Sequence, residues 1–283
     1  MKVLLAKTAG FCPGVKKALE RVLELARSGR PVYTLGPLVH NAQVLEMLEE
    51  KGVHAVASLS EVPDKGGILV LRAHGVSPEL EKEARSRGVA VFDATCPLVK
   101  NAQRAISKHK EQGFTTVIVG DAGHAEVVGL QGWAGKDSFV VSGPEEAAKL
   151  PRIEKAHVVA QTTQEAEVFE KTVEVVRKKS GQTVVSNTVC KPSLERQEET
   201  ARLARSADMV IVVGSRTSAN TARLAAVCRR LCANVVQIET ESELDEASVK
   251  AAKSVAITAG ASTPAWVTDR VKDWVQSMRA WRV

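Results

Sequence analysis

The stretch GVAVFDATCPLVKNAQRAISKHKEQG, residues 88–113, sets Cys96 between two hydrophobic patterns of different period. Ahead of the cysteine, a β-branched and apolar run predicts a buried strand. Behind it, apolar positions recur at helical spacing and Gly113 predicts the stop. Cys96 therefore sits in a strand-to-helix turn. The same unit occurs twice more, around Cys12 in VLLAKTAGFCPGVKKALERVLELARSG and around Cys190 in TVVSNTVCKPSLERQEETARLARSA. Each helix leads to a further strand that ends in a polar loop: VYTLGPLVHN, TVIVGDAGHAEV and MVIVVGSRTSANT. His40, His124 and Ser218 each lie 28 residues beyond their cysteine. A third strand and polar loop follow in ILVLRAHGVSP with His74, HVVAQTTQEA with Thr162 and Thr163, and SVAITAGASTP with Ser262. The cysteines are spaced by 84 and 94 residues, with 93 residues after the last. That period predicts three copies of one supersecondary unit, over residues 1–96, 97–189 and 190–283.

Strands alternating with helices predict an α/β fold with mostly parallel sheets, in which functional groups gather beyond the carboxyl ends of the strands. All the residues just named fall there. If the three units pack around a pseudo-threefold axis, Cys12, Cys96 and Cys190 converge beside a polar ring of His, Thr, Ser and Asn loops.

Composition narrows the chemistry. A chain of 283 residues, 44% hydrophobic and 25% charged, can bury one or more real cores. Its longest apolar runs, such as MVIVVG at 209–214, are too short to span a bilayer, and the N-terminal VLLA meets Lys7 too soon for a signal-peptide core. The expected compartment is the cytoplasm, with no membrane partner. Five cysteines, an odd number, argue against a disulfide framework and leave metal binding, catalysis or burial. The net charge of +6 suits an anionic partner. With aromatics at 4% and a single tyrosine, Tyr33, there are few stacking platforms, so no nucleic-acid partner is expected.

Three converging thiolates would bind metal. Structural zinc prefers four ligands, commonly from closely spaced cysteine pairs, and these three cysteines have no such neighbours. A [4Fe–4S] cluster held by three thiolates keeps one iron open to a substrate. A zinc site completed by a histidine, or burial of unrelated cysteines, remains the alternative from spacing alone. Cys228 and Cys232, one helical turn apart, read as ordinary packing. His54, His109 and His157 lie outside the strand-end loops and receive no role.

The motifs GFCPGV, GPLVHN, RAHGV, DATCPLV, GHAEVVG, QTT, NTVC with RQE, VGS with SAN, and TAGASTP occur in this order from residue 3 to about 267. Together they resemble the 4-hydroxy-3-methylbut-2-enyl diphosphate reductase family, which acts last in the methylerythritol phosphate route to isoprenoids. The resemblance implies a trefoil of three α/β units around a [4Fe–4S] cluster on Cys12, Cys96 and Cys190. It also implies reductive removal of an allylic hydroxyl, giving isopentenyl and dimethylallyl diphosphates. Such a reaction needs a Lewis acid, a proton for the departing water and two electrons. Glu126, beside His124 in GHAEV, is the expected proton donor, with Thr163 orienting the hydroxyl or relaying the proton and His124 or a water as the alternative donor. His40, His74, His124, Thr163, Ser218, Asn220 and Ser262 are the expected partners of the allylic diphosphate. No GxxxxGK[ST] loop competes with them for that role. The chain also has no nicotinamide or flavin fingerprint, so a separate ferredoxin or flavodoxin is the expected electron donor.

The sequence departs from the family pattern at Lys191-Pro192-Ser193 after the third cysteine, at Ala125 in GHAEV, and at Ala219 and Ala265. These bear on packing around the third unit and on substrate preference. A related iron–sulfur reductase with another small substrate, or a non-catalytic metal-binding protein, is the competing reading.

Overall fold

The computed structural model describes residues 1–63 and 65–278. Its strands are β1 (Lys2–Leu5), β2 (Val32–Leu35), β3 (Val53–Val56), β4 (Ile68–Leu71), β5 (Ala90–Asp93), β6 (Thr115–Val119), β7 (Phe139–Val141), β8 (Ile153–Ala160), β9 (Ser180–Ser186), β10 (Met209–Val213), β11 (Val235–Ile238) and β12 (Ser254–Ala259). The helices are α1 (Pro13–Ala26), α2 (Ala42–Glu49), α3 (Pro78–Ser86), α4 (Pro97–Glu111), α5 (Ala125–Ala134), α6 (Pro144–Ala147), α7 (Ala166–Lys179), α8 (Lys191–Ser206), α9 (Ala219–Arg229), α10 (Glu246–Ala251) and α11 (Ala265–Ser277). All pairings are parallel, and they form three four-stranded sheets: β3-β2-β4-β5, β7-β6-β8-β9 and β11-β10-β12-β1. The three orders are the same order repeated. In each sheet the edge strand at the end of the series, β5, β9 or β1, is the one that runs into a cysteine.

The third sheet takes that edge strand from the start of the chain. Lys2, Val3, Leu4 and Leu5 pair with Ser254 through Ile257, so β1 belongs by hydrogen bonding with the last strands rather than with β2–β5. By contacts the chain divides into two compact units, one of Met1–Val15, Val39–Val44 and Lys191–Val283, the other of Lys16–Leu38 and Leu45–Cys190. The first carries the β11-β10-β12-β1 sheet and the second carries the other two. Residues 279–283, which end the stretch expected as the third α/β copy, lie outside the described residues.

Central strands are apolar on both faces because helices cover both. Ile68–Leu71 and Met209–Val213 are buried at every position, and each such side chain contributes roughly 1.5–3 kcal/mol on leaving water. In the first unit one face of the sheet packs Ile211, Val213, Val255 and Ile257 against Val267, Val271 and Val275 of α11. Its other face packs Val210, Val212 and Ala256 against Leu224, Ala225 and Cys228 of α9. In the second unit Ala102 and Ile106 of α4 meet Val127 and Leu130 of α5 over Ile118 and Val159. The helices start and stop where the sequence indicated: α4 opens with Pro97, and Gly113 beyond its end has φ +79°. Three edge strands, β3, β7 and β11, are only three or four residues long. That is too short for a period-2 pattern to mark them.

One unassigned histidine is a core residue. His157 on β8 is 0% exposed, its Nε2 lies 2.9 Å from Ser186 Oγ, and its ring stacks 4.0 Å from that of His109 on α4. Burial, and then the nearby charge of His109, pushes its pKa from the ordinary 6.5 down to about 4. The folded state therefore keeps His157 neutral while the unfolded chain protonates it. The associated stability is present above pH 6.5 and is lost as pH falls toward 4. At 1.36 kcal/mol per unit this amounts to roughly 3 kcal/mol. Urea unfolding followed at pH 7 and pH 4.5 should show that loss, and His157→Gln should flatten the slope between the two.

Candidate functional site

Each cysteine is held by the same contact. The backbone N–H of Cys96 donates to the carbonyl of Ala73 (3.0 Å), that of Cys190 to Thr162 (2.8 Å) and that of Cys12 to Ala261 (3.1 Å). Ala73, Thr162 and Ala261 are each the second residue past the end of β4, β8 and β12. The residues that follow them are His74, Thr163 and Ser262, the functional candidates of the third loops. One main-chain hydrogen bond thus ties each cysteine to its neighbouring candidate, and fixes both relative to the sheet.

In the second unit this arrangement collects Cys96, Cys190, His74, His124, Glu126 and Thr163. Glu126 is 2% exposed, in the first turn of α5. Its carboxylate accepts Thr162 N–H at 2.6 Å on Oε1 and the Thr162 hydroxyl at 2.7 Å on Oε2. The hydroxyl bonded to the carboxylate is therefore that of Thr162, the neighbour of Thr163 and the residue whose carbonyl holds Cys190. His124 is the N-cap of α5: its Nδ1 accepts the Glu126 N–H at 3.2 Å. A neutral His124 then carries its proton on Nε2, where it can serve as a donor. The His74 ring packs edge-on to His124 at 5.4 Å. Cys96 is the N-cap of α4 and half-buried.

The first unit collects Cys12, His40, Ser218, Asn220 and Ser262. Cys12 Sγ accepts the Val15 N–H at 3.4 Å. Asn220 is buried between two partners: Oδ1 accepts Ala261 N–H at 3.0 Å and Nδ2 donates to Ser193 Oγ at 3.4 Å. Asn220 therefore positions the Ala261 carbonyl on which Cys12 hangs. Ser218 caps α9 by accepting Thr221 N–H at 3.4 Å, leaving its hydroxyl proton for another acceptor at a helix N-terminus. Ser262 Oγ donates to the His40 carbonyl at 3.2 Å, and His40 Nδ1 lies 3.4 Å from Thr217 Oγ1. The loop before Cys12 is clamped from α8. Glu199 accepts from Lys7 N–H, Thr8 N–H and the Thr8 hydroxyl at 2.7–3.0 Å. Buried Arg196 donates to the carbonyls of Ala259 (2.9 Å) and Thr8. Burial alone would raise the Glu199 pKa, but the Thr8 and Lys7 hydrogen bonds hold it below its ordinary value.

The departures from the family pattern fall in first helical turns. Ala125, Ala219 and Ala265 each stand at the first helical position, and Pro192 stands in the first turn of α8, where a proline costs no hydrogen bond. Ser193 is buried and keeps a hydroxyl for Asn220. Lys191 points outward to Glu195 at 3.6 Å. Cys228 lies in the core with its thiol pushed up to about 12 by burial, then by Cys232, which suits a packing residue.

Two features were not singled out in the sequence. Thr162 was grouped with Thr163, although only the structure separates their roles. Gly36, Gly120 and Gly214 each lie 24 residues beyond a cysteine and directly follow β2, β6 and β10, a second fixed register that the sequence did contain. A Cβ on Gly120 would lie 2.8 Å from Gln161 and Val127, so the turn needs glycine there.

Among the described residues no helix is long and apolar enough to cross a membrane. A family model described as LytB protein matches residues 3–276. The chain is 42% identical over 278 residues to the 4-hydroxy-3-methylbut-2-enyl diphosphate reductase of Geobacter sp. (strain M21), covering 98% of each chain. It is 44% identical over 277 residues to the protein of that name from Geobacter sulfurreducens, covering 98% of this chain and 97% of the relative. A solved structure of (E)-4-hydroxy-3-methyl-but-2-enyl diphosphate reductase, the terminal enzyme of the non-mevalonate pathway, matches 98% of this chain and 100% of its own, with TM-score 0.71 and 36% identity. The E-1-hydroxy-2-methyl-but-2-enyl-4-diphosphate reductase from Plasmodium falciparum matches 96% of this chain and 87% of its own, with TM-score 0.90 and 29% identity.

Proposed function

This chain belongs to the LytB protein family, and we propose that it reduces (E)-4-hydroxy-3-methylbut-2-enyl diphosphate to isopentenyl and dimethylallyl diphosphates. The observation that carries this reading is the threefold hydrogen bond that seats each cysteine beside a functional loop. The reaction consumes two electrons and two protons per allylic hydroxyl, breaks one carbon–oxygen bond, forms one carbon–hydrogen bond and releases water.

Cys12, Cys96 and Cys190 would hold a [4Fe–4S] cluster. The donor set fits such a group: three half-buried sulfurs, each on a loop pinned by its own N–H, with a backbone N–H on the Cys12 sulfur. When bound, a cluster with one iron free of protein ligands would supply electrons and Lewis acidity at the carbon–oxygen bond. Glu126 gives a proton to the departing oxygen, and its Oε2 contact with the Thr162 hydroxyl offers a route by which that proton is replaced. Thr163, next in the chain, orients the substrate hydroxyl. His40, His74, His124 and Ser218 donate to the diphosphate, Ser262 joins them when its hydroxyl turns from the His40 carbonyl, and Asn220 donates from Nδ2 while its Oδ1 accepts the Ala261 N–H. Loss of one donor to a charged oxygen costs on the order of 1–3 kcal/mol. Ser218→Ala and Ser262→Ala should therefore raise KM by about tenfold or more with cluster content retained. Asn220→Ala should raise KM and also lower the iron content, since Cys12 loses its support.

The electrons come from a separate ferredoxin or flavodoxin, and thiol ligands of this kind belong in the reducing cytoplasm. The three four-stranded parallel sheets, the last of them closed by β1, carry the strand-end copies on which this reading rests. Anaerobic purification followed by addition of the allylic diphosphate and a chemical reductant tests the whole reading. Brown protein, with isopentenyl and dimethylallyl diphosphates formed, is the expected outcome. Brown protein without either product would transfer the fold to another substrate, and colourless zinc protein would end the redox reading.

A further inference from the structure

The residue immediately past the third strand of each sheet occupies one recurrent place, and the three occupants differ: Arg72 after β4, Gln161 after β8 and Gly260 after β12. Gln161 has a structural task there. It lies on Gly120, and its Oε1 accepts the N–H of Asp121 at 2.9 Å. Arg72 lies in the same way on Gly36, whose φ is +76° and whose missing Cβ leaves room for the guanidinium. The residue matching Asp121 is Pro37, which has no N–H to be satisfied. The task that occupies Gln161 is thus absent where the arginine stands.

The guanidinium is left over. Arg72 is half-buried, its Nε is out of water with no hydrogen-bond partner, and it makes no ion pair among the described residues. Burial alone lowers its pKa from the ordinary value, with no charge partner opposing that. A desolvated permanent cation without a counter-ion costs free energy, which an arriving anion recovers. Arg72 and His74 belong to one β-turn closed by Gly75 N–H to the Arg72 carbonyl at 3.0 Å, and His74 packs against His124.

We propose that Arg72 binds a phosphate of the substrate's diphosphate, adding a fixed positive charge beside the donors His74 and His124. The proposal rests on the reading of this chain as a diphosphate reductase. A guanidinium gives two parallel N–H donors to phosphate, which neither Gln161 nor Gly260 supplies in the other two copies.

The test uses the cluster-loaded full chain, with inorganic pyrophosphate as the probe in calorimetry and the allylic diphosphate with chemical reductant in kinetics. Arg72→Gln, which installs the side chain of the second copy, should weaken pyrophosphate roughly 10- to 100-fold and raise KM to match, with the change falling on KM rather than kcat. The salt dependence of pyrophosphate binding should become shallower in the same variant. Arg72→Lys, which keeps charge but loses the fork, should fall between. Unchanged pyrophosphate affinity and KM in Arg72→Gln, with a lowered Tm, would overturn the proposal and make the guanidinium a packing group. Should Arg72→Gln not fold, undiminished affinity in Arg72→Lys overturns it equally. A parent protein that binds pyrophosphate yet does not reduce the allylic diphosphate would sink the reductase reading, while the pyrophosphate comparison still reports on Arg72.

Discussion

Replacing Cys12, Cys96 or Cys190 singly by serine should leave iron and acid-labile sulfide on the order of a tenth of the parent or less, because a hydroxyl is a poor substitute for thiolate on iron. Turnover should fall with it. The expectation is the same for all three because the structure treats them alike: each hangs by its N–H from a strand-end carbonyl at 2.8–3.1 Å. Serine preserves that bond, so the variants should fold and melt close to the metal-free parent. The loss would then be one of ligation alone. Cys228→Ala and Cys232→Ser should keep the cluster, Cys228 because it is a core thiol held protonated by burial, and Cys232 because its sulfur faces the carbonyls of Ala207 and Asn234 at 3.5 Å. A Cys228 variant that lost its iron while one of the three serine variants kept it would remove the threefold assignment.

The repeat was legible because two properties coincide at one register: a chemically distinctive residue and a change of hydrophobic period. Cys96 stands just past β5 and immediately before α4, and Cys12 and Cys190 likewise stand immediately before α1 and α8, in the loops that leave β1 and β9. Strands such as β10, apolar at every position, announce a sheet covered on both faces. What escaped has equally definite causes. The pairing of β1 with β12 joins residues some 250 apart in the chain, and no local pattern carries such a partner. Glu126 was singled out by its chemistry, but its bond to the Thr162 hydroxyl was not foreseen, since Thr162 and Thr163 are adjacent and of one type and only backbone direction separates them. Asn220 looked like a diphosphate ligand alone, whereas its two buried hydrogen bonds also make it the support of the Cys12 loop. Arg72 stood in plain view within RAHGV, and its significance depends on what Gln161 does in another sheet.

Glu126→Gln should separate proton delivery from everything else the site does. The amide fits the existing contacts: its oxygen can accept the Thr162 N–H and its NH2 can donate to the Thr162 hydroxyl, replacing the two bonds now made by the carboxylate. The Thr162 carbonyl therefore keeps its hold on Cys190, and cluster content and thermal stability should stay at the parent level. The proton is what disappears. Loss of a positioned general acid costs typically 10²-fold or more, so kcat should drop by at least about that factor. Calorimetry should meanwhile show the allylic diphosphate binding as before. Glu126→Ala is the informative contrast, since it leaves the Thr162 N–H and hydroxyl without acceptors in a buried place and should lower both stability and iron content. Thr162→Val, which keeps the backbone bonds and removes only the hydroxyl, should slow turnover while Glu126 remains, if the proton is replaced through that contact. A Glu126→Gln protein within a few-fold of the parent would move the donor to His124 or a water. One that could not hold its iron would make Glu126 a structural residue whose work is to fix Thr162 and, through it, Cys190.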